Sequence, residues 1–222
     1  MCGRFTLSQP ATALAQSFHL EKAPDLEPQY NIAPTQMVAA VLYNQESDRR
    51  ELHSLRWGLI PSWAKDPGMG SKLINARSET VAEKPAFRTA FKRQRCLVVA
   101  DGFYEWQQRD GKKQPFYFRL QNENPFGFAG LWEQWKSPQG ETITSCTILT
   151  TVANELLQPI HDRMPVILQQ QNYDFWLDPL LKVPEMLQQL LQPYPSEAMT
   201  AYPVGTVVNN PRHNSPDCVK SL

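Results

Sequence analysis

Proline is spread along the whole chain and limits the length of any single helix or strand. The 222-residue sequence contains 19 prolines against 10 glycines, without an internal repeat or a low-complexity tract. Because proline fixes φ and lacks a backbone N–H, it ends helices and is rare in central strands. The chain is therefore divided into short elements joined by many turns, which is typical of a β-rich fold.

Apolar runs of strand or helix length lie between these turns. Strands are predicted at 37–43, 52–60, 95–106, 113–120, 126–135, 142–151, 163–168 and 199–205. Helices are predicted at 9–20, with Ser8 as the N-cap, and at 82–94, 154–160, 173–178 and 184–192. Many strands with interspersed short helices indicate an α+β fold. Because no linker stands out, we expect one domain over residues 1–222.

Composition excludes several classes of protein. Lys+Arg 22 equals Asp+Glu 22, which argues against a polybasic membrane binder or a broad clamp on duplex DNA but leaves room for a local basic cleft. No signal peptide and no run of about 18 apolar residues is found, so we expect a cytoplasmic protein without a membrane partner. The cysteines are scattered and form no C-x-x-C pair, so we expect no metal site, no disulfide framework and no cofactor: they are Cys2, Cys96, Cys146 and Cys218.

The second residue carries the most reactive combination of groups. Initiator methionine is normally trimmed before a small residue, so the mature chain would begin with an α-amine and a thiol on Cys2. Such an amine has a pKa of about 7.7–8.0, so it is partly neutral at physiological pH and can attack an aldehyde to give a Schiff base. The thiol can then close on the imine carbon as a thiazolidine. The same thiol could instead act as a hydrolytic nucleophile.

Polar residues interrupt the apolar pattern at three further places. Asn75 and Arg77 follow a short apolar run in "LINARSET", and Glu105 lies between two aromatic residues in "VVADGFYEW". His161 and Arg163 lie in "PIHDRMP", between a predicted helix and a predicted strand. A carboxylate and an imidazole are the groups that move protons around a tetrahedral intermediate, so either chemistry of the N-terminal cysteine could use them.

Each of these residues also has a structural interpretation. Asn75 could cap the segment that follows it, and His161 could be a turn histidine. Arg163 could belong to a structural ion pair. Glu105 could alternate outward from a half-exposed strand and pair with Lys112 or Lys113. For Cys96 and Cys146, which lie inside apolar runs, we favour the role of small buried hydrophobic residues.

Eight segments occur in an order that resembles the SOS-response-associated peptidase family. They are "MCGRF", "YNIAPTQ" (30–36), "RWGLIPSWAK" (56–65), "INARSET" (74–80), "ADGFYEW" (100–106), "KKQPFYF" (112–118), "IHDRMPVIL" (160–168) and "YPVGTVVNNPR" (202–212). The resemblance runs from Cys2 to about Arg212. It implies a barrel-like, mainly antiparallel β core with peripheral short helices, and a positively charged cleft that leads to the N-terminal cysteine.

The resemblance also implies a function in the DNA damage response. Members of the family sense and shield abasic sites in single-stranded DNA, through a covalent thiazolidine crosslink between the N-terminal cysteine and the ring-opened sugar aldehyde. The expected protein is a monomeric, lyase-like crosslinking enzyme, associated with the nucleoid if its source is bacterial. By motif, the catalytic residues would be Cys2, Asn75, Glu105 and His161. The DNA-binding residues would be Arg4, Asn31, Pro34, Trp63, Arg77 and Arg163.

Two other functions remain open. In a cysteine peptidase, including one that removes its own Met1, Cys2 would be the nucleophile, Glu105 the orienting carboxylate and His161 the base. In a non-enzymatic single-strand binder, Cys2 would merely be buried. Arg77, Arg163 and Trp63 favour a DNA-directed function, because a self-cleaving peptidase needs neither arginines for phosphate nor an aromatic ring for bases.

Overall fold

The computed structural model describes residues 2–22, 24–109 and 111–222. Its strands are β1 Phe5–Leu7, β2 Gln29–Ile32, β3 Met37–Asn44, β4 Arg49–Trp57, β5 Asn75–Arg77, β6 Arg95–Ala100, β7 Gly102–Arg109, β8 Lys112–Leu120, β9 Phe126–Lys136, β10 Thr142–Val152, β11 Arg163–Pro165, β12 Ile167–Leu168 and β13 Met199–Pro203. Its α-helices are α1 Ala11–Phe18, α2 Arg88–Arg93, α3 Tyr173–Leu177 and α4 Pro184–Gln188.

Five strands form a closed barrel. Around the barrel the order is β10–β4–β3–β6–β9, and β9 pairs with β10 to close it. The pair β4–β10 is parallel and the other four pairs are antiparallel. The apolar runs of β6 and β10 are buried along most of their length, because elements pack against both faces of these strands. The prediction of an α+β fold with a barrel-like, mainly antiparallel core is confirmed.

A second, open sheet lies against the barrel in the order β13–β8–β7–β1–β2. Phe103 of β7 stacks on Phe118 of β8 with ring centroids 5.1 Å apart, and its edge contacts Phe128 of β9 at 6.0 Å. Phe5 of β1 contacts Trp57 at the end of β4, at 5.1 Å. These aromatic contacts join the two sheets into a continuous apolar core.

Asp101 makes the bend between the two sheets and anchors the N-terminal strand. Its buried carboxylate accepts hydrogen bonds from the Thr6 hydroxyl, from the backbone N–H and hydroxyl of Ser8 at 2.5 and 2.9 Å, and from the backbone N–H of Gln9 at 2.9 Å. The single strand predicted over 95–106 was therefore wrong, because the chain turns at Asp101 and enters a different sheet. Ser8 is engaged by this carboxylate and does not cap α1, whose N-cap is Pro10.

Two predicted helices also differ from the structure. Residues 154–160 form turns instead of a helix, with the Asn154 carboxamide accepting from the Leu157 N–H at 3.1 Å. Within 82–94, only Arg88–Arg93 is α-helical. In the part of the chain that the structure describes, no helix is long and apolar enough to cross a membrane.

Candidate active site

Cys2 lies directly before β1, beside strand β7. In the antiparallel β1–β7 pair, Phe5 lies opposite Phe103, and the Tyr104 N–H continues the ladder by donating to the Arg4 carbonyl at 3.0 Å. This register brings the residues before β1 alongside Tyr104 and Glu105. Cys2 is fully buried, and its Sγ lies 3.9 Å from the Arg4 carbonyl oxygen. The thiol predicted as the nucleophile is thus fixed in the protein interior.

Asn75 holds the main chain of Cys2. It begins β5, which runs parallel to β10 with Asn75 opposite Ile148. Its Nδ2 donates to the Cys2 carbonyl at 2.8 Å. Its Oδ1 is buried and has no hydrogen-bond partner among the residues that the structure describes. A contact over 73 positions of sequence replaces the local cap that was the structural alternative for Asn75, and it leaves a buried acceptor beside Cys2.

Glu105 is a buried carboxyl group close to the Cys2 thiol. The alternative that it points outward toward Lys112 or Lys113 was wrong, because Glu105 is 3 % exposed and lies opposite Phe116 of β8. Burial raises the pKa of Glu105. Burial raises the pKa of the Cys2 thiol as well, and the negative charge of Glu105 raises it further. Both groups therefore keep their protons to a higher pH than exposed glutamate and cysteine side chains do.

His161 lies in the turn before β11 and has two partners on one ring nitrogen. Its Nδ1 accepts from the Arg163 backbone N–H at 3.0 Å and lies 3.0 Å from Oδ1 of Asp162. The backbone N–H matches the neutral ring, whose proton is then on Nε2, whereas the carboxylate matches the protonated ring. The positive charge of His161 opposes the rise in the pKa of Glu105. Nδ1 of His161 thus has one neighbour that donates to it and one that can only accept from it.

Arg4 and Asn31 form a buried connection to the C-terminal segment. Arg4 Nη1 donates to Asn31 Oδ1 at 2.7 Å and to the Val208 carbonyl at 2.8 Å. The Asn31 amide donates in turn to the carbonyls of Asn210 at 3.0 Å and His213 at 2.8 Å. Asn31 is therefore occupied as a structural bridge, and its predicted contact with DNA stays a prediction, as does that of Arg4.

Arg77 and Arg163 flank β10 at Thr150 but differ in their surroundings. Arg77 is exposed, and in the described part of the chain its guanidinium makes no hydrogen bond. Arg163 is mostly buried and pairs with Glu79, through Nη1–Oε1 at 2.5 Å and Nη2–Oε2 at 3.0 Å. Its Nη2 also donates to the Thr150 carbonyl at 2.6 Å. The ion-pair alternative for Arg163 is therefore present, whereas Arg77 is open to an incoming phosphate.

Trp63 and Pro34 lie on two loops at one end of β4. The loop that contains Pro34 is tied to Trp57 by hydrogen bonds at 2.8 and 2.9 Å. Trp63 follows β4, is 58 % exposed, and borders a depression of about 570 Å³ that Lys65 and Lys72 also line. An exposed aromatic ring beside two lysines suits a nucleic-acid strand, because bases stack on such rings and lysine binds phosphate.

Sequence reasoning missed Glu79, the partner of Arg163. It lies in "INARSET" between residues to which roles were given, but its partner is 84 positions away, and no local pattern reveals such a pair. The sequence predicted no metal site anywhere in the chain, and this stays a prediction. Within the described ranges, no group of three His, Cys, Asp or Glu residues is placed to hold a metal ion.

Comparisons with known proteins match the whole chain. The chain is 47% identical over 225 residues to the abasic site processing protein YoqW of Bacillus subtilis (strain 168), with 100% of both proteins covered. It is 36% identical to the abasic site processing protein HMCES of Xenopus tropicalis, over 88% of this chain and 67% of that protein. A crystal structure of a protein from Bacteroides thetaiotaomicron superposes with a TM-score of 0.89 at 28% identity, over 100% of both chains. A protein from Bordetella bronchiseptica superposes with a TM-score of 0.78 at 30% identity, over 92% of this chain and 100% of that one.

The model of the SOS response associated peptidase (SRAP) family matches residues 1–211. The resemblance carried by the eight sequence segments is thereby confirmed. The chain belongs to the SRAP family.

Proposed function

We propose that this protein processes abasic sites in single-stranded DNA by forming a covalent crosslink through Cys2, as part of the DNA damage response. The observation that carries the proposal is the Asn75 side chain on the Cys2 carbonyl, with the buried Glu105 carboxyl beside the thiol. The relatives named as abasic site processing proteins support the same substrate. One chain supplies all four catalytic candidates, so the protein would act as a monomer.

The reaction begins after Met1 has been removed. The α-amine of Cys2 adds to the aldehyde carbon of the ring-opened sugar, and loss of one water gives a Schiff base. The sulfur then adds to the imine carbon while the thiol proton goes to the nitrogen, which completes the thiazolidine. Atoms balance without an oxidant or reductant. Because ring closure is intramolecular, it needs no external nucleophile.

The neighbouring residues have separate roles in this scheme. Asn75 would hold the Cys2 main chain, and its buried Oδ1 would accept a hydrogen bond from the N–H of the adduct. Glu105 would act as general acid and base in opening the sugar and removing water, since burial raises its pKa and so favours the protonated form that a general acid needs. His161 would move protons during formation and reversal of the Schiff base. Arg77 would bind a flanking phosphate, and Trp63 would stack on the strand.

The same surroundings argue against a peptidase that depends on a thiolate. Catalytic cysteines of that kind are found in electropositive sites that lower the pKa of the thiol. Here burial and Glu105 raise the pKa of Cys2, so the thiolate is disfavoured. A mechanism in which the amine attacks first does not require a preformed thiolate, and we therefore favour crosslinking over peptide hydrolysis.

The decisive experiment blocks the amine and leaves the thiol intact. Protein that begins at Cys2 is incubated with an abasic single-stranded oligonucleotide and analysed by intact mass spectrometry, beside a form with an uncleavable N-terminal tag. A form with the same tag after Leu222 is the matched control, because that residue is 76% exposed. We expect a hydrolysis-resistant adduct only on the two forms that begin at Cys2.

Three results would contradict the proposal. Equal adducts on the N-terminally tagged form would exclude attack by the amine. Turnover of a reporter peptide without an adduct would favour the peptidase. Salt-sensitive binding without any adduct would favour a simple single-strand binder. An oligonucleotide with a stable abasic analogue that cannot form an aldehyde should bind without crosslinking.

A further inference from the structure

Glu79 forms a two-point ion pair with Arg163 that no function has so far explained. The carboxylate occupies both outer nitrogens of the guanidinium, at 2.5 and 3.0 Å. The Arg163 side chain is 11% exposed and that of Glu79 is 48% exposed. A bidentate, partly buried pair of this kind fixes geometry more strongly than a single surface ion pair. Hydrogen bonding from Arg163 also lowers the pKa of Glu79, so the carboxylate stays charged.

The pair connects two segments that meet at β10. Glu79 lies in the turn after β5, and Arg163 begins β11. Both segments bind the Thr150 carbonyl, which accepts from the Ser78 N–H at 2.9 Å and from Arg163 Nη2 at 2.6 Å. Glu79 and the Thr150 carbonyl together hold the guanidinium of Arg163, the first residue of β11.

The main chain of Arg163 carries this restraint to His161. Its backbone N–H donates to His161 Nδ1 at 3.0 Å, an interaction that the neutral ring can make only with its proton on Nε2. Asp162 Oδ1 lies 3.0 Å from the same nitrogen and can only accept from it, so the Arg163 N–H has to outweigh this carboxylate to keep Nδ1 unprotonated. A rotation of the 161–163 turn would break this hydrogen bond and allow the other tautomer. The Glu79 side chain, which holds Arg163, is therefore linked through the Arg163 backbone to the ring nitrogen of His161.

We propose that Glu79 is a positioning residue for the crosslinking reaction, which acts through Arg163 to fix the orientation and tautomer of His161. The inference rests on the proposed function, because it assigns Glu79 to the same proton-transfer step. Glu79 itself touches neither Cys2 nor the sugar in this scheme. The competing possibility is that Glu79 only occupies the site of a phosphate on Arg163, and that possibility predicts that removing Glu79 tightens DNA binding instead of leaving the Kd unchanged.

The test compares Glu79→Ala with Glu83→Ala, which removes an exposed glutamate four residues further along. The single-turnover rate of adduct formation is measured at saturating protein, so that changes in affinity do not contribute, and the Kd for DNA with the aldehyde-free analogue is measured separately. We expect Glu79→Ala to lower the rate about tenfold or more, with the Kd within about twofold of wild type. Glu83→Ala should match wild type in both.

Nitrogen NMR shifts of the His161 ring provide a second readout that general loss of stability would not change. Wild type should show the proton on Nε2, and Glu79→Ala should show a mixture of tautomers. Should Glu79→Ala fail to fold, Glu79→Gln keeps the shape of the side chain and is measured in the same way, with a smaller expected loss of rate.

Two results would overturn the inference. An unchanged rate with a tighter Kd would identify Glu79 as a competitor of phosphate, and an unchanged rate and tautomer would leave it a purely structural residue. Absence of an adduct from wild type would instead contradict the proposed function. In that case the tautomer in Glu79→Ala still decides whether Glu79 positions His161.

Discussion

The barrel interior and the N-terminal site each bury a cysteine, but they surround it differently. Cys146 of β10 is fully buried, and burial raises the pKa of its thiol. Its neighbour Cys96 in β6 is also fully buried, and burial raises the pKa of its thiol as well. Cys2 is equally buried, but it also has the Asn75 amide on its carbonyl and the Glu105 carboxyl near its sulfur.

The difference shows that burial by itself does not make a thiol functional. Burial keeps all three thiols protonated, which makes the barrel cysteines inert. In the N-terminal site, a carboxyl group and a histidine ring can carry protons, and a buried amide oxygen can accept a hydrogen bond. Under the proposed mechanism, the chemistry of Cys2 would depend on the polar groups around it and on its α-amine, and substitutions that remove one of these groups at a time test this difference from the barrel cysteines.

The largest effect is expected from the two cysteines themselves. Cys2→Ala should abolish the hydrolysis-resistant adduct, because the Schiff base can form but cannot close to a thiazolidine. Its affinity for DNA should be unchanged. Cys146→Ala should crosslink at the wild-type rate while it loses about 1–3 kcal/mol of unfolding free energy, since it leaves a cavity in the barrel. Denaturing gels and urea unfolding measure both outcomes, and a stable adduct on Cys2→Ala would refute the assigned nucleophile.

Glu105 and Glu133 offer the next comparison. Both are buried glutamates in strands, and burial raises the pKa of each. Glu105→Gln should slow single-turnover crosslinking by about 10²–10⁴, the usual loss for a general acid or base. Glu133 lies on β9 beside Ser62, and Glu133→Gln should leave the rate unchanged. Equal rates for the two variants would return Glu105 to a structural role.

The smallest effect concerns the dependence of stability on pH. Because the folded pKa of Glu105 is raised above its unfolded value of 4.5, the folded state binds more protons than the unfolded state between these two values. The stabilisation that protonated Glu105 gives to the wild-type folded state is therefore lost as pH rises from the unfolded pKa through the folded pKa. Glu105→Gln cannot ionise, so its Tm relative to wild type should increase from pH 4 to pH 8. In a domain of this size each kcal/mol corresponds to about 2–4 °C. A difference in Tm that is constant with pH would contradict the raised pKa.

Most of the barrel was predictable from the sequence because its strands are local apolar runs, with the exception of β4, whose sequence RRELHSLRW is largely polar and whose predicted range of 52–60 was displaced by three residues. Strands β3, β9 and β10 lie within one or two residues of their predicted positions. The strands β1, β2 and β5 were missed because three or four residues carry too little pattern to identify a strand. The bend at Asp101 was missed for another reason, since its partners Ser8 and Gln9 are more than 90 positions away.

The candidate site shows the same division between local and distant information. Cys2, Asn75, Glu105 and His161 were noticed because each interrupts or precedes an apolar run, and the structure brings them to one place. Their mutual contacts depend on the register of β1 with β7 and of β5 with β10, which no local pattern contains. For that reason the hydrogen bonds that bury Asn31 against the C-terminal segment were not foreseen, and Glu79 received no role at all.

The anchoring of β1 by Asp101 has a mechanical consequence for a protein that is covalently attached to DNA. Tension on the DNA would reach the protein at Cys2 and pull β1 along its own axis. Antiparallel hydrogen bonds lie perpendicular to the strand, so the pairs of β1 with β2 and β7 would resist together in shear instead of opening one by one. The hydrogen bonds of Thr6 in β1, and of Ser8 and Gln9 directly after it, to Asp101 would pass the load to the bend that connects β6 and β7. A pulling force would thus be carried from the attachment point into the closed barrel.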